Sequence, residues 1–517
     1  MRIRHKLLFA MILVLLIPTI GYGEPISYKI EQHAPDAAFQ RLEYKSYPGA
    51  VEGLLSKSES WVGFFRQDGR DITIDLGERK RIKEISLEFQ QNKGSGIVLP
   101  KFMEAAMSLD GEQWNQLGRA GHLVPAADTD VQTRKLQLSF KPVEARYVKL
   151  SFPVDVWVFA RHLTIKEDNE NVTEQQPTIL AHAESLRDSQ EKYLKIPEID
   201  DILLIYSGDH GDLGVWKAED FLPLVSYVDQ EGKVKDRLFD TFLFLPFPEM
   251  KSTQEAWSHY LQDLFKKGEQ LDALNQISKK IQQTHPDLNI RPKVILTIPY
   301  PDSKQEEFAE NISFSAEKVD RKKALSNRQE AVERYLNQLM STWEAAQFEA
   351  IDLAGIYWYK ETMDLTVPDE DKLVRYAAEL VRGKGHKFYW IPFFGSKGYE
   401  DWKDYGFDYV LLQPNFYAKE DPPKERMDNV AALARKHHLG VELEIDDKAL
   451  YNRFYYDLFY QQLDKASELG LDEKTTKAYY MGTKSILNAN KSNIGLVRKI
   501  YDDIYLWIKG TYKGKDS

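Results

Sequence analysis

The chain contains no cysteine in 517 residues, which excludes disulfide scaffolds, thiolate nucleophiles and cysteine-held metals. Positive charge is also short, with 69 Lys and Arg against 80 Asp and Glu for a formal net charge of -11. A nucleic-acid binder neutralises phosphates over a broad basic surface, and this balance argues against one. Beyond the first residues no segment is apolar enough to cross a membrane. No phosphate-cradling glycine loop, Gly-x-Ser-x-Gly elbow or zinc-protease helix motif occurs either.

What the chain does have begins at its amino terminus. Arg2, Arg4 and Lys6 precede the short apolar run Leu7 to Ile20, and small residues follow before Glu24. That order reads as a secretory signal over residues 1–23, so a secreted, extracellular or cell-surface protein without a transmembrane helix in its mature form is expected. An uncleaved amino-terminal anchor is the alternative. At roughly 100–200 residues per domain, the length implies two or three domains.

Residues 24–166 carry alternating runs such as DITIDLG, IKEISLEF, KLQLSF and ARYVKLSF, separated by the turn signals QQNKGSG and LDGEQW. Period-two alternation with turns between predicts a β-sandwich. Residues 167–200 are polar and without an apolar strand, which predicts a linker. From 201 to 512 eight short apolar segments recur: DILLIYSG, FDTFLFLPF, KVILTIPYP, LAGIYWYKE, KFYWIPFFG, FDYVLLQPNFY, LGVELEID and KAYYMGTKS. Helix-length stretches lie between most of them. The expected fold is therefore multidomain, β plus α/β: a jelly-roll sandwich followed by a (β/α)8 TIM barrel, with an open α/β sheet as the alternative. The connection KGYEDWKDYG after the fifth segment is short for a full helix.

The seventh segment poses the chemical question. Alternate side chains of a strand share a face, so Glu442, Glu444 and Asp446 point one way while Val441, Leu443 and Ile445 point the other. With the apolar set turned to the helices, the acids climb the barrel interior toward its mouth, where isolated carboxylates are costly unless they have a use. On the fourth segment Tyr357, Tyr359 and Glu361 share a face. Two acids from opposite strands match the needs of glycoside hydrolysis, in which one protonates the leaving oxygen and the other attacks or orients water. Glu361 and Glu444 are the expected catalytic pair, with Glu442 a rival for the second role. Tyr206, Asp209, His210, Tyr357, Tyr359, Trp390, Gln413, Asn415, Tyr417, Asp446 and Tyr479 are candidate substrate contacts, since amides, phenols and aromatic faces suit sugars. No metal and no cofactor is expected. The expected partner is a polysaccharide or cell-surface glycan.

Three resemblances accompany this reading. Ile74-Asp75-Leu76-Gly77, Ser108-Leu109-Asp110-Gly111 with Trp114, and Arg146-Tyr147-Val148-Lys149-Leu150 resemble the discoidin, or coagulation-factor type C, domain, which implies a carbohydrate- or surface-binding module. Trp61, Phe64, Phe65 and Trp157 are its candidate stacking aromatics. The placement of Glu361 and Glu444 resembles clan A of the glycoside hydrolases, implying an acid/base after strand four, a nucleophile after strand seven and retention of configuration, although Lys360 stands where the clan usually has Asn. The stretch from IYSGDHGDLGVW through GIYWYKE to GVELEID is similar to family 4855 of the domains of unknown function. Two further readings stay open: a non-catalytic glycan-binding scaffold, and a metal-dependent polysaccharide deacetylase using Asp209, His210 and Asp212.

Overall fold

The structure is a computed structural model and describes residues 27–33, 51–55, 59–65, 69–122, 124, 128–154, 156–168, 192–248, 250–363, 367, 369–396, 398–417 and 425–515. The expected signal, residues 1–23, and most of the expected linker lie outside the described residues.

The amino-terminal domain comprises β1 (Ser27–His33), β2 (Val62–Phe65), β3 (Gly69–Gln91), β4 (Phe102–Ser108), β5 (Asn115–Gly121), β6 (Gln132–Pro153) and β7 (Trp157–Glu167). The four alternating runs of the sequence are halves of only two strands, β3 and β6. Register shifts between Asp75 and Lys80 and between Ile82 and Glu84 bend β3. Its first half pairs with β1, its second half with β7, and β6 follows it throughout. Two layers of one folded ribbon thus enclose Ile72, Ile74, Ile85, Leu87, Val148 and Leu150. This is a discoidin-like β-sandwich.

The residues of its three motifs meet. Arg146 Nε donates to Asp75 Oδ1 at 2.5 Å and a second guanidinium nitrogen reaches Oδ2 at 3.1 Å; the guanidinium beside Asp75 holds its carboxyl below the usual range. Gly111, at φ +82°, lies where a Cβ would touch the Tyr147 ring at 3.5 Å, and Lys149 sits 4.1 Å over Trp114. Phe64 is core, 1% exposed and edge-on to Phe152, so it is no ligand platform. Trp61 lies beneath Arg161, and Phe65 packs on Trp157 at 4.4 Å.

In the carboxy-terminal domain β8 (Asp201–Tyr206) leads through α1 (Ala218–Val225) to a small antiparallel pair, β9 (Ser226–Val228) and β10 (Val234–Arg237). Then come β11 (Thr241–Leu245), α2 (Gln254–Leu264), α3 (Gln270–Thr284), β12 (Lys293–Ile298), α4 (Arg321–Ala346), β13 (Asp352–Trp358), α5 (Glu370–Gly383) and β14 (Lys387–Trp390). The chain finishes with β15 (Tyr409–Leu412), α6 (Arg426–His437), β16 (Gly440–Glu444), α7 (Arg453–Glu468), α8 (Leu471–Lys474), β17 (Lys477–Tyr480), α9 (Ser485–Lys491) and α10 (Gly495–Ile508). Strands β8 and β11 to β17 close in sequence order into a barrel in which every neighbouring pair is parallel. Closure removes the open-sheet alternative. All eight apolar segments are barrel strands, and among its described residues the fifth connection holds only a short 3-10 turn, Tyr399–Asp401.

The barrel has two apolar zones. Outward residues such as Val441, Leu443, Ile445, Trp358 and Trp390 pack under the helices, while Ile202, Leu243, Ile295, Tyr357, Tyr389, Leu411 and Ala478 fill the interior. Gly355 makes room there: a Cβ would stand 2.5 Å from the Tyr389 ring. The segment just before β8 belongs to this interior too. Leu194, Ile196 and Ile199 plug the bottom, tied by Leu194 N to Leu439 O at 3.0 Å and by Thr476 Oγ1 to Ile199 O at 2.9 Å. Part of the stretch expected to be linker is therefore the barrel's floor.

Candidate functional site

β13 and β16 are the fourth and seventh barrel strands; β16 carries two acids into the interior, and Glu361 follows the end of β13. On β16 Glu442 and Glu444 are both 1% exposed. The Glu444 N–H and C=O face β15, but β15 pairs with β16 only as far as Leu412 opposite Val441. Gln462 of α7 supplies the missing ladder: its Oε1 accepts from Glu444 N at 2.8 Å and its Nε2 donates to Glu444 O at 2.9 Å. A side-chain amide has the donor and acceptor of a peptide group, so it pairs with a strand as a neighbouring strand does.

The carboxyl group of Glu444 is held from the loop after β15. Phe416 N donates to Oε2 at 2.7 Å, and Asn415 N is a second backbone donor. Arg426 of α6 fixes that loop by donating to Pro414 O at 2.7 Å, and its guanidinium lies 4.1 Å over Phe394. Burial pushes the Glu444 carboxyl up, while the two N–H donors and Arg426 favour its ionised form and Glu361 opposes it. Glu442, below, has a buried Oε2 without a hydrogen-bond partner among the described residues. Burial, then Glu444 and Glu361, push its carboxyl well up.

Glu361 follows β13 at the mouth. Water reaches it, since its residue surface is exposed, yet protein surrounds most of the carboxyl, and this recessed position raises it to about 7 against the opposing pull of a Gln413 hydrogen bond and Lys360. Gln413 is itself braced by Nε2 donating to Ile391 O at 2.8 Å. Trp390 Nε1 donates to Lys360 O at 2.7 Å, which fixes the backbone just before Glu361. Glu361 acts electrostatically on both Glu442 and Glu444, so the three acids lie within interaction range of one another.

Phenols form the remaining wall. Tyr206 stacks on Phe247 at 5.6 Å and meets Tyr480 edge-on, and Tyr480 packs on Tyr417 at 5.0 Å. Tyr357 is 2% exposed, and Tyr359 is partly buried against the same interior cluster. Tyr206 is also influenced by Tyr359, Glu361 and Tyr417, so the expected contacts Tyr206, Tyr357, Tyr359, Gln413 and Tyr417 converge with the acids. Asn415 joins them through its backbone, at φ +50°. Beyond β16, Tyr451 and Phe454 are 78% and 44% exposed.

Five expected contacts are placed elsewhere. Asp446 lies past the end of β16 and caps the next 3-10 turn, its Oδ1 accepting from Lys448 N at 2.8 Å. Trp390 and Tyr479 have outward strand parity and are fully buried. Trp390 stacks on Phe407, and the Tyr479 hydroxyl donates to Asp201 at the barrel's other end, at 2.5 Å. The inward residue at the mouth end of β17 is Tyr480. Asp209 is exposed in a turn and accepts from Gly211 N. His210 Nε2 donates to the Tyr206 carbonyl at 2.8 Å, beside Trp216 Nε1 on the same oxygen, so His210 braces the strand end as a neutral ring. Among the described residues no three His, Asp or Glu side chains converge as metal ligands, which leaves the deacetylase alternative without a ligand set there.

The sequence reading missed Gln462, Arg426 and Lys484. The last is 2% exposed at its side chain and ties the loop after β8 to that after β17, donating to Leu213 O and Val215 O at 3.0 Å each and pairing with Asp220 at 3.3 Å. A lone amide in α7 carries no sequence signal for its role. A lysine just after a strand end was a visible one.

Comparison with known proteins defines the class first: residues 40–160 match the F5/8 type C domain, ahead of a parallel eight-stranded barrel. The chain belongs to the family described as Domain of unknown function (DUF4855), which residues 201–506 match. Among solved structures, similar chains include CpGH89CBM32-5 from Clostridium perfringens in complex with GalNAc-beta-1,3-galactose, at 16% identity over 27% of this chain and 94% of that one, with a TM-score of 0.20. The C-terminal domain of a chitobiase from Bacteroides fragilis is 21% identical over 28% of this chain and 95% of that one, also at 0.20. A GH29 fucosidase from Ruminococcus gnavus in complex with fucose is 15% identical over 28% of this chain and 26% of that one, again at 0.20. No curated protein matches the chain. Among the described residues no helix is long and apolar enough to cross a membrane.

Proposed function

We propose that this is an exported glycoside hydrolase-like protein whose sandwich holds a polysaccharide or cell-surface glycan while the barrel cleaves a glycosidic bond. The observation that carries the reading is the pair Glu361, just past barrel strand four, and Glu444, on strand seven, differently served by their surroundings. Glu361, raised to about 7, keeps a proton to give to the leaving oxygen at neutral pH. Burial lifts Glu444 further, to about 8, but it alone of the two is met by two backbone N–H donors, which favour the carboxylate it would use toward the anomeric carbon or a water. Phenols and Gln413 around them suit a hydroxyl-rich ring, and exposed Tyr451 and Phe454 offer apolar faces to further residues of a chain. A weakly binding sandwich still raises the local concentration of a polymer.

Reducing-end release from cell-wall and exopolysaccharide fractions tests the reading. Glu361→Gln and Glu444→Gln should each abolish release while glycan binding persists. Undiminished release by both variants would overturn the assignment. A second reading, a non-catalytic glycan-binding barrel, is favoured by the upward push on every acid of the site. In that case wild type binds the same fractions and releases nothing.

A further inference from the structure

The third acid has no place in the two-carboxyl scheme. Glu442 is two residues before Glu444 on one strand, so the two side chains leave the same face about 7 Å apart at their bases. Both are closed off from water, and only Glu444 is met by backbone donors. The groups that face Glu442 are Glu444 on its own strand, Glu361 and Tyr357 from the β13 side, and Tyr417 beyond β15; β17 sets Ala478 beside it. Among the described residues these are acids and phenols without a cation among them, and one carboxyl oxygen has no hydrogen-bond partner.

An unpaired buried carboxylate in such company is the costliest arrangement available to the three acids, and a proton on it is the cheapest remedy. We infer that Glu442 is kept as a neutral carboxylic acid beneath Glu444, and that this uncharged floor is what allows Glu444 to ionise opposite Glu361. Glu442 is then a positioning residue, not a second nucleophile. The inference rests on the glycosidase reading of the barrel for its purpose, but its protonation state does not. The upward push on its carboxyl from burial agrees.

The test compares thermal and denaturant unfolding of wild type and Glu442→Gln between pH 4.5 and 9. A glutamate titrates near 4.3 when unfolded. If it holds its proton to a higher pH when folded, wild type loses stability as pH rises above that value, and the loss ends only at the folded pKa. The glutamine variant lacks this loss. The folding constant of wild type should therefore fall, relative to the variant, about tenfold per pH unit from about pH 4.5 upward. A ratio that stays flat with pH overturns the inference.

Should Glu442→Gln fail to fold, the infrared carbonyl band of a protonated carboxyl at pH 8 decides instead. It should persist in Glu361→Gln with Glu444→Gln combined, and its absence overturns the inference. Polysaccharide turnover separates the two claims. Turnover kept within about threefold in Glu442→Gln fits a neutral group replaced by its neutral isostere. Abolished turnover in a folded Glu442→Gln whose stability ratio to wild type stays flat with pH would make Glu442 the nucleophile and overturn the inference. A steep wild-type pH slope without any turnover would leave the neutral floor standing and sink the hydrolase reading.

Discussion

Replacing Gln462 by Met tests the structural premise of the site, namely that a helix side chain completes the ladder of the seventh strand. Gln462 is 1% exposed and makes two hydrogen bonds, at 2.8 and 2.9 Å, to the backbone of Glu444. Met fills nearly the same space but offers neither group. The Glu444 N–H and C=O would then be buried without partners, because β15 has already turned away at Leu412. Each orphaned group costs about 1–3 kcal/mol, so the expected destabilisation is about 2–6 kcal/mol. At about 2–4 °C per kcal/mol the barrel's transition should fall by at least about 4 °C. Differential scanning calorimetry reads this directly. Gln276→Met, at an exposed site bonded only to Asp272 of its own helix, serves as the control and should shift by about 0.5 kcal/mol or less. A Gln462→Met barrel as stable as the control would refute the ladder argument and leave Glu444 positioned by its loop alone.

Other expectations follow from the same structure. Arg328 and Glu370 pair at 2.7 Å, each 2% exposed at its side chain, while Arg328 also donates to Pro301 O; Arg328→Met should cost about 3–5 kcal/mol in chemical denaturation, and Glu370→Leu in addition should recover much of it. Asp240 is raised to about 6 by burial and by Asp201, so its folded form binds a proton that its unfolded form has lost by then. The stability this adds is present in full below about pH 4 and lost as pH climbs through 6, about 2–3 kcal/mol in all, and Asp240→Asn should flatten that part of the pH–stability curve. If Glu361 is the proton donor, only its protonated form is competent: kcat/KM on a responsive polysaccharide should fall about tenfold per pH unit above about 7. A rate that instead rises through pH 8 would remove Glu361 from that role.

Most of the barrel was legible because strand alternation is a strong constraint. Val441, Leu443 and Ile445 needed an apolar partner, only the helices could supply it, and Glu442 and Glu444 were thereby sent inward. The same parity argument, applied to β14 and β17, would have rejected two candidates. Tyr389 and Ala478 are inward, so Trp390 and Tyr479 must face the helices, and Tyr480 must face the site. Aromatic chemistry outweighed parity in choosing them, and parity was the better guide. Asp446 failed differently: alternation ends where the strand ends, and an aspartate two residues before a free Lys448 N–H becomes a cap.

What could not be read locally was the support of each acid. Gln462 matters because β15 stops early, and its stopping point depends on how the loop after it turns at Asn415 under the hold of Arg426. Those three residues belong to a helix, a loop and another helix, and only the closed barrel brings them to one carboxyl. The sandwich shows the same limit in reverse, since its four alternating runs were found while the bends that join them into two long strands were not. The acids of the mouth are therefore a local feature of two strands, but their charge is a property of the assembly. The N–H groups that favour an ionised Glu444 come from the loop after β15, a segment that the motif of its own strand does not contain.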